Sequence, residues 1–108
     1  MPADEATVDR VRVHLHGELA VTERRMFGGV AFMYNGNMAV GVVGDRLMVR
    51  VGPDAWRSSL SEPGVSEMDF TGRSMRGFVF VEADALVGDG LAHWVEQGVT
   101  FADSLPPK

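Results

Sequence analysis

The residues best suited by type to do chemistry stand together in the first third of the chain. Arg24 and Arg25 shortly precede Gly28 and Gly29, and two guanidinium groups beside open glycine amides could hold a small anion. Glycines in this context more often serve a bend or bulge that a side chain would obstruct. Neither GxxxxGK[ST] nor GxGxxG occurs, so the phosphate-cradling loops of nucleotide-binding proteins have no counterpart. Glu67 and Asp69 are two apart and would share a strand face, but hard divalent cations take several oxygen ligands and no third acid is close in sequence. His14 and His16 are two apart, which keeps them from facing each other on a helix. His93 stands next to Trp94, where an amphipathic helix surface accounts for it. Ser58, Ser59, Ser61, Ser66 and Ser74 lie in loops or helix ends, and none sits in a GxSxG elbow. There is no cysteine, which removes disulfides, thiol catalysis and zinc–thiolate sites. No nucleophile–base pair, metal set or cofactor cradle emerges, and the chain reads as noncatalytic, with no cofactor and no metal.

Composition narrows the function classes further. The 108 residues make one domain, and an apolar fraction of 45% is enough for a modest core. No apolar run is long enough to span a bilayer, and the acidic start has no apolar h-region, so the expected location is cytoplasmic. Fifteen acids against ten bases give a net charge of -5, which opposes direct nucleic-acid binding driven by phosphate neutralisation. Nine of the ten bases are arginine, and seven methionines point to adaptable packing or a soft contact surface.

The elements that must position these residues follow from periodicity and turn chemistry. Asp4 is placed to cap a first helix whose stripe is Val8, Val11, Leu15 and Leu19, ending near residues 17–20. Met26 and Phe27 are expected to pack where that helix crosses the sheet edge. Three apolar runs then follow, 30–34, 37–43 and 46–51, joined by Asn35-Gly36 and Gly44-Asp45, which predict an antiparallel meander. Both faces of its first two strands are apolar. Val30, Phe32 and Tyr34 with Met38, Val40 and Val42 suit a helix-covered face. The smaller face, with Ala31, Met33, Ala39, Gly41 and Val43, could meet another subunit or a segment of the same chain. In the third strand Arg46, Met48 and Arg50 face out, which suits a sheet edge.

Pro53 opens a short helix with Trp56 and Leu60 toward the core. A weak strand over 65–70, a turn over 71–74 and a strand over 75–81 come next, with Phe78 and Phe80 on one side. An acidic link over 82–87 precedes a last helix capped by Asp89, carrying Leu91, Trp94 and Val95 and weakened at Gly98. Asp103 to Lys108 reads as a tail. The expected fold is α+β, two layers, an antiparallel sheet of about five strands packed against N- and C-terminal helices, with an ordered core over about 5–102.

Arg25-Met26-Phe27-Gly28-Gly29, the strand after it, Asn35-Gly36 and the 47–51 strand together resemble the N-terminal domain of the TfoX/Sxy family. Phe70, the run Met75-Arg76-Gly77-Phe78-Val79-Phe80-Val81 and Trp94 fit the same pattern. The resemblance implies a small two-layer α+β domain and a role in regulating transcription or competence-related expression. The family's second, helical domain has no counterpart in these 108 residues, and Arg50 stands where a lysine is common. The reading is a noncatalytic protein-interaction module, expected as a homodimer with a transcription-related protein partner. Its candidate interaction or ligand surface is Arg24, Arg25, Met26, Phe27, Gly28, Gly29, Met33 and Arg50. A small-molecule site at a mouth of Met26, Phe27, Gly28, Gly29 and Trp56, or an arginine patch for nucleic acid built from Arg24, Arg25, Arg46, Arg50, Arg73 and Arg76, is the alternative.

Overall fold

The structure is a computed structural model that describes residues 3–26, 28–70 and 73–108, with residues 69, 70, 73 and 74 as backbone alone. Helix α1 (Glu5–His14) begins where the sequence places it. The Asp4 carboxylate accepts from the Thr7 amide at 3.1 Å and from its hydroxyl at 2.7 Å, satisfying one of the amides that a helix start leaves open. The helix stops at Leu15, short of the predicted end. Val8, Val11 and Leu15 are therefore buried, and Leu19, which the periodicity puts on the same stripe, is 98% exposed.

Six strands form one antiparallel sheet: β1 (Val21–Met26), β2 (Gly29–Tyr34), β3 (Asn37–Val43), β4 (Arg46–Arg50), β5 (Val65–Phe70) and β6 (Arg73–Val81), in spatial order β1-β2-β3-β4-β6-β5. The meander of β2, β3 and β4 is the one predicted. Asn35 takes φ 50° and Gly36 φ 83° in the first of its turns, the pair of positive angles that Asn-Gly tolerates. The sixth strand, β1, is missing from the sequence reading because Thr22-Glu23-Arg24-Arg25 has no apolar alternation. As an edge strand it needs none. β4 in turn is no edge. It lies between β3 and β6 with Met48 fully buried, because its two outward arginines lie against rings of β6 and need no open water on both sides.

Helix α2 (Trp56–Leu60) and helix α3 (Gly90–Asp103) join α1 against one face of the sheet. A 3₁₀ turn over Ala83–Leu86 leads into α3. Asp89 stands at the α3 N-cap, but its carboxylate accepts no cap bond. Gly98 does not interrupt α3. It is the point where the helix comes closest to the sheet, since a Cβ there would lie 2.4 Å from the Ala39 carbonyl oxygen. The predicted tail is docked: the Lys108 amide donates to the Asn35 carbonyl at 2.9 Å, and Asn37 Nδ2 donates to the Pro106 carbonyl at 2.9 Å.

The sheet separates two apolar clusters of different composition. Toward the helices lie Val30, Phe32, Val40, Val42, Leu47, Val49, Val79 and Val81, closed over by Val8, Val11, Leu91, Trp94 and Val95. On the opposite side Met48, Met68 and Phe80 form a smaller cluster, flanked by Met38, Val43, Met75 and Phe78.

Candidate functional site

The irregularity that builds the second face is a bulge in β3. Phe32 pairs with Val40 and Met33 with Met38, so Ala39 is an extra residue on that strand. Antiparallel partners share a face. Met38 therefore joins Met33 on the side away from the helices, which corrects its predicted place beside Val40 and Val42. Strict alternation gives the wrong side because one inserted residue inverts the face of everything before it.

The cross-strand pairs then run in rows. Arg24, Ala31, Gly41, Met48, Phe80 and Ser66 form one row across all six strands on the helix-free face. The small residues Ala31 and Gly41 make room for the Met48 side chain, whose terminal methyl would meet a Cβ at Gly41 at 2.8 Å. Alternation along β1 and β2 also puts Met26 and Met33 on this face, and Met68 and Met75 belong to its cluster. Six of the seven methionines in the chain thus gather on one side of the sheet. The helix-side cluster contains none.

Arginines edge the methionines. The Arg46 guanidinium lies 3.9 Å from the Phe80 ring centre and within 4.0 Å of Glu82. Arg50 lies 5.4 Å from the ring centres of both Phe78 and Phe101, a cation–π setting that fixes its direction. Arg24 is exposed at the β1 end of the central row.

The predicted surface is divided by this arrangement. Arg24 and Arg25 are successive strand residues, so they point to opposite faces of β1. Arg25 stands on the helix side with Glu23, and Arg50 is separated from both by β2 and β3. Met26 is half-buried on the helix-free face, away from α1, because it alternates with Arg25. Met33 is buried. Gly28 is an exposed turn residue with φ 74°, and Gly29 packs so closely that a Cβ would meet the Val42 carbonyl oxygen. Phe27 lies outside the described residues, as do the side chains of Phe70, Asp69 and Arg73 and the turn residues Thr71 and Gly72.

The mouth expected from Met26, Gly29 and Trp56 does not form. Trp56, on α2, packs against the helix-side cluster beside β6, its indole Nε1 donating to the Phe78 carbonyl at 3.1 Å. A hollow of about 230 Å³ borders Arg24 and Arg25, but Arg12, Glu23 and Val30 line it too. Arg12 donates to both Glu23 oxygens, at 2.8 and 2.9 Å, and to Asp9 at 3.0 Å. That bidentate bond holds the Glu23 carboxyl below its ordinary range. A carboxylate already sits where the anion would have to bind.

Elsewhere, His14 Nε2 meets Glu96 Oε2 at 2.7 Å, linking α1 to α3. His93 stands edge-on to Trp94. Among the described residues no three His, Asp or Glu side chains converge as metal ligands. A hollow of about 380 Å³ between α1 and α3 is lined by Arg10, Val13, His14 and Leu91, with Asp9, Gly88 and Ala92. Its imidazole, His14, is the one already engaged by Glu96.

A six-stranded antiparallel sheet with its helices on one face and methionines edged by arginines on the other defines a small α+β domain. The model of the TfoX N-terminal domain matches residues 14–102, and the chain belongs to that family. No curated protein and no solved structure matches the chain.

Proposed function

We propose that the chain is a noncatalytic protein-interaction module of the cytoplasm that regulates transcription or competence-related expression through protein partners. The observation that supports this most is the methionine face. Thioethers adapt their shape to a bound surface, whereas the valine-rich cluster under the helices is suited to one fixed packing. Membership of the TfoX N-terminal domain family is consistent with a regulatory role.

A photo-crosslinking residue in place of Met38, with a matched one in place of Ala92 on α3, tests the reading in cells. A transcription factor or polymerase subunit captured from position 38 and not from position 92 is the expected result. No capture from position 38 under conditions where the protein is expressed and folded overturns it.

Self-association is part of the proposal, through the outer edge of β1. Glu23 and Arg25 share one side of that strand. A two-fold axis at Arg24 would set Glu23 of each copy opposite Arg25 of the other, two complementary pairs against the single like-charge pair of Arg24 with itself. Sedimentation velocity should show a concentration-dependent dimer, and a strict monomer at high micromolar concentration removes this part.

A further inference from the structure

We infer that the helix-free sheet face docks an acidic segment of a partner protein, one whose carboxylates flank apolar side chains. This rests on the interaction-module reading and names the chemistry of the partner.

The first ground is charge. The chain carries a net charge of -5, yet the described strand positions on this face include Arg24, Arg46 and Arg50 and no aspartate or glutamate. The acids lie elsewhere. Glu23 and Glu67 end the neighbouring row on the helix side, through Phe32, Val40, Val49 and Val79, and Asp9, Glu96 and Asp103 stand on the helices. Among the described strand positions this face is thus cationic in an anionic molecule, a charge that favours anionic partners.

The second ground is what lies between the arginines. Met38, Val43, Met75 and Phe78 are half-buried and form the accessible layer, with the fully buried Met48 and Met68 beneath. A purely ionic ligand would leave that layer unused. An apolar ligand would offer the arginines no carboxylate beyond the Glu82 that Arg46 already meets. Arg46 is already steered by Phe80, and Arg50 by Phe78 together with Phe101 of α3, so pairing them with carboxylates immobilises little that is free.

The third ground excludes a face-to-face copy of this chain. A symmetric contact opposes each patch to itself, bringing the three arginines of one copy against those of the other. Among the described strand positions of the face no acid offsets them, and Glu82, one residue beyond β6, meets Arg46 alone.

The experiment uses the full chain with its methionine methyls labelled with carbon-13. Three synthetic helical peptides share one set of leucines and phenylalanines and differ in flanking residues: glutamate, glutamine or lysine. A mixed-sequence DNA duplex is the fourth probe. The glutamate peptide should shift the Met38 and Met75 methyls and bind about tenfold tighter than the glutamine peptide at low salt. Most of that advantage should vanish near 0.5 M salt, where screening is strong. Arg24→Gln, at an exposed position of the edge strand, should weaken the glutamate peptide by about threefold and leave the glutamine peptide unchanged.

Equal binding of the glutamine or lysine peptide at these methyls overturns the acidic partner and leaves the interaction-module reading standing. Failure of every peptide to move the methyls overturns the docking face, and the crosslinking test then decides the broader reading on its own. DNA moving the same methyls at moderate salt replaces a protein partner with a nucleic acid and overturns both.

Discussion

Gly98 sets the distance between α3 and β3. Alanine is the better helix former by about 1 kcal/mol, so propensity alone favours Gly98→Ala. The added Cβ would lie 2.4 Å from the Ala39 carbonyl oxygen and 2.6 Å from a Val40 methyl, and backbone cannot swing away as a side-chain tip can. Overpacking of this kind costs roughly 1–3 kcal/mol. The clash should win, with urea unfolding showing Gly98→Ala less stable than the parent. At the other end of the domain, Asp4→Ala removes two bonds to Thr7 and should cost about 1 kcal/mol in the same assay.

The Arg12–Glu23 contact ties α1 to the edge strand and carries a pH signature. Its carboxyl is held below the ordinary value by the hydrogen bonds from Arg12. A depressed carboxyl contributes stability that is fully present above the unfolded-chain value and is lost as pH falls through the folded one. Both partners are more than one-third exposed, so salt screens the contribution. Glu23→Gln should lower stability near neutrality and flatten its decline on the acid side, read by denaturation midpoints between pH 7 and pH 3 at low salt.

At the level of elements, the bulge at Ala39 decides which side chains reach which face. Without it, strand alternation would turn either Met33 and Met38 apart or Val40 and Val42 away from the helices. Deleting Ala39 should therefore do more than remove a methyl. Loss of a cooperative unfolding transition, or of several kcal/mol, is expected, whereas Met38→Leu, which keeps register and size, should cost under about 1.5 kcal/mol. The central place of β4 has a related cause. Arg46 and Arg50 fit an interior strand because each spans an aromatic ring of β6 or its neighbour α3, so their stems are covered and their heads stay at the surface.

For the whole molecule, the division of side-chain types between the faces has a chemical consequence. All methionines beyond the first residue lie on the helix-free side, so an oxidant such as hydrogen peroxide, which transfers one oxygen to the thioether and leaves water, would modify one face and spare the helix-side core. Half-buried Met38 and Met75 should be oxidised before fully buried Met48 and Met68. Peptide mapping by mass spectrometry over a peroxide time course reads that order. Oxidation of Met48 at the rate of Met38 would show that the smaller cluster opens readily.

The sequence by itself determined whatever is local. The Asp4 cap, the Asn35-Gly36 turn, the meander it closes and the face that Phe78 and Phe80 share all rest on residues a few positions apart, and the pattern of the TfoX N-terminal domain is a series of such short motifs. Tertiary structure decided the rest. β1 pairs because β2 offers it an edge, and its own charges give no sign of a strand. Leu19 leaves the stripe because the helix ends at Leu15. Trp56 on α2 sits beside β6 while Gly29 is on β2, with two strands between, so their supposed mouth does not exist. The methionine face arises only when six strands align and one extra residue turns Met38 over. Pairing partners distant in sequence and a single-residue register shift fix that face, and neither is encoded in a short-range pattern.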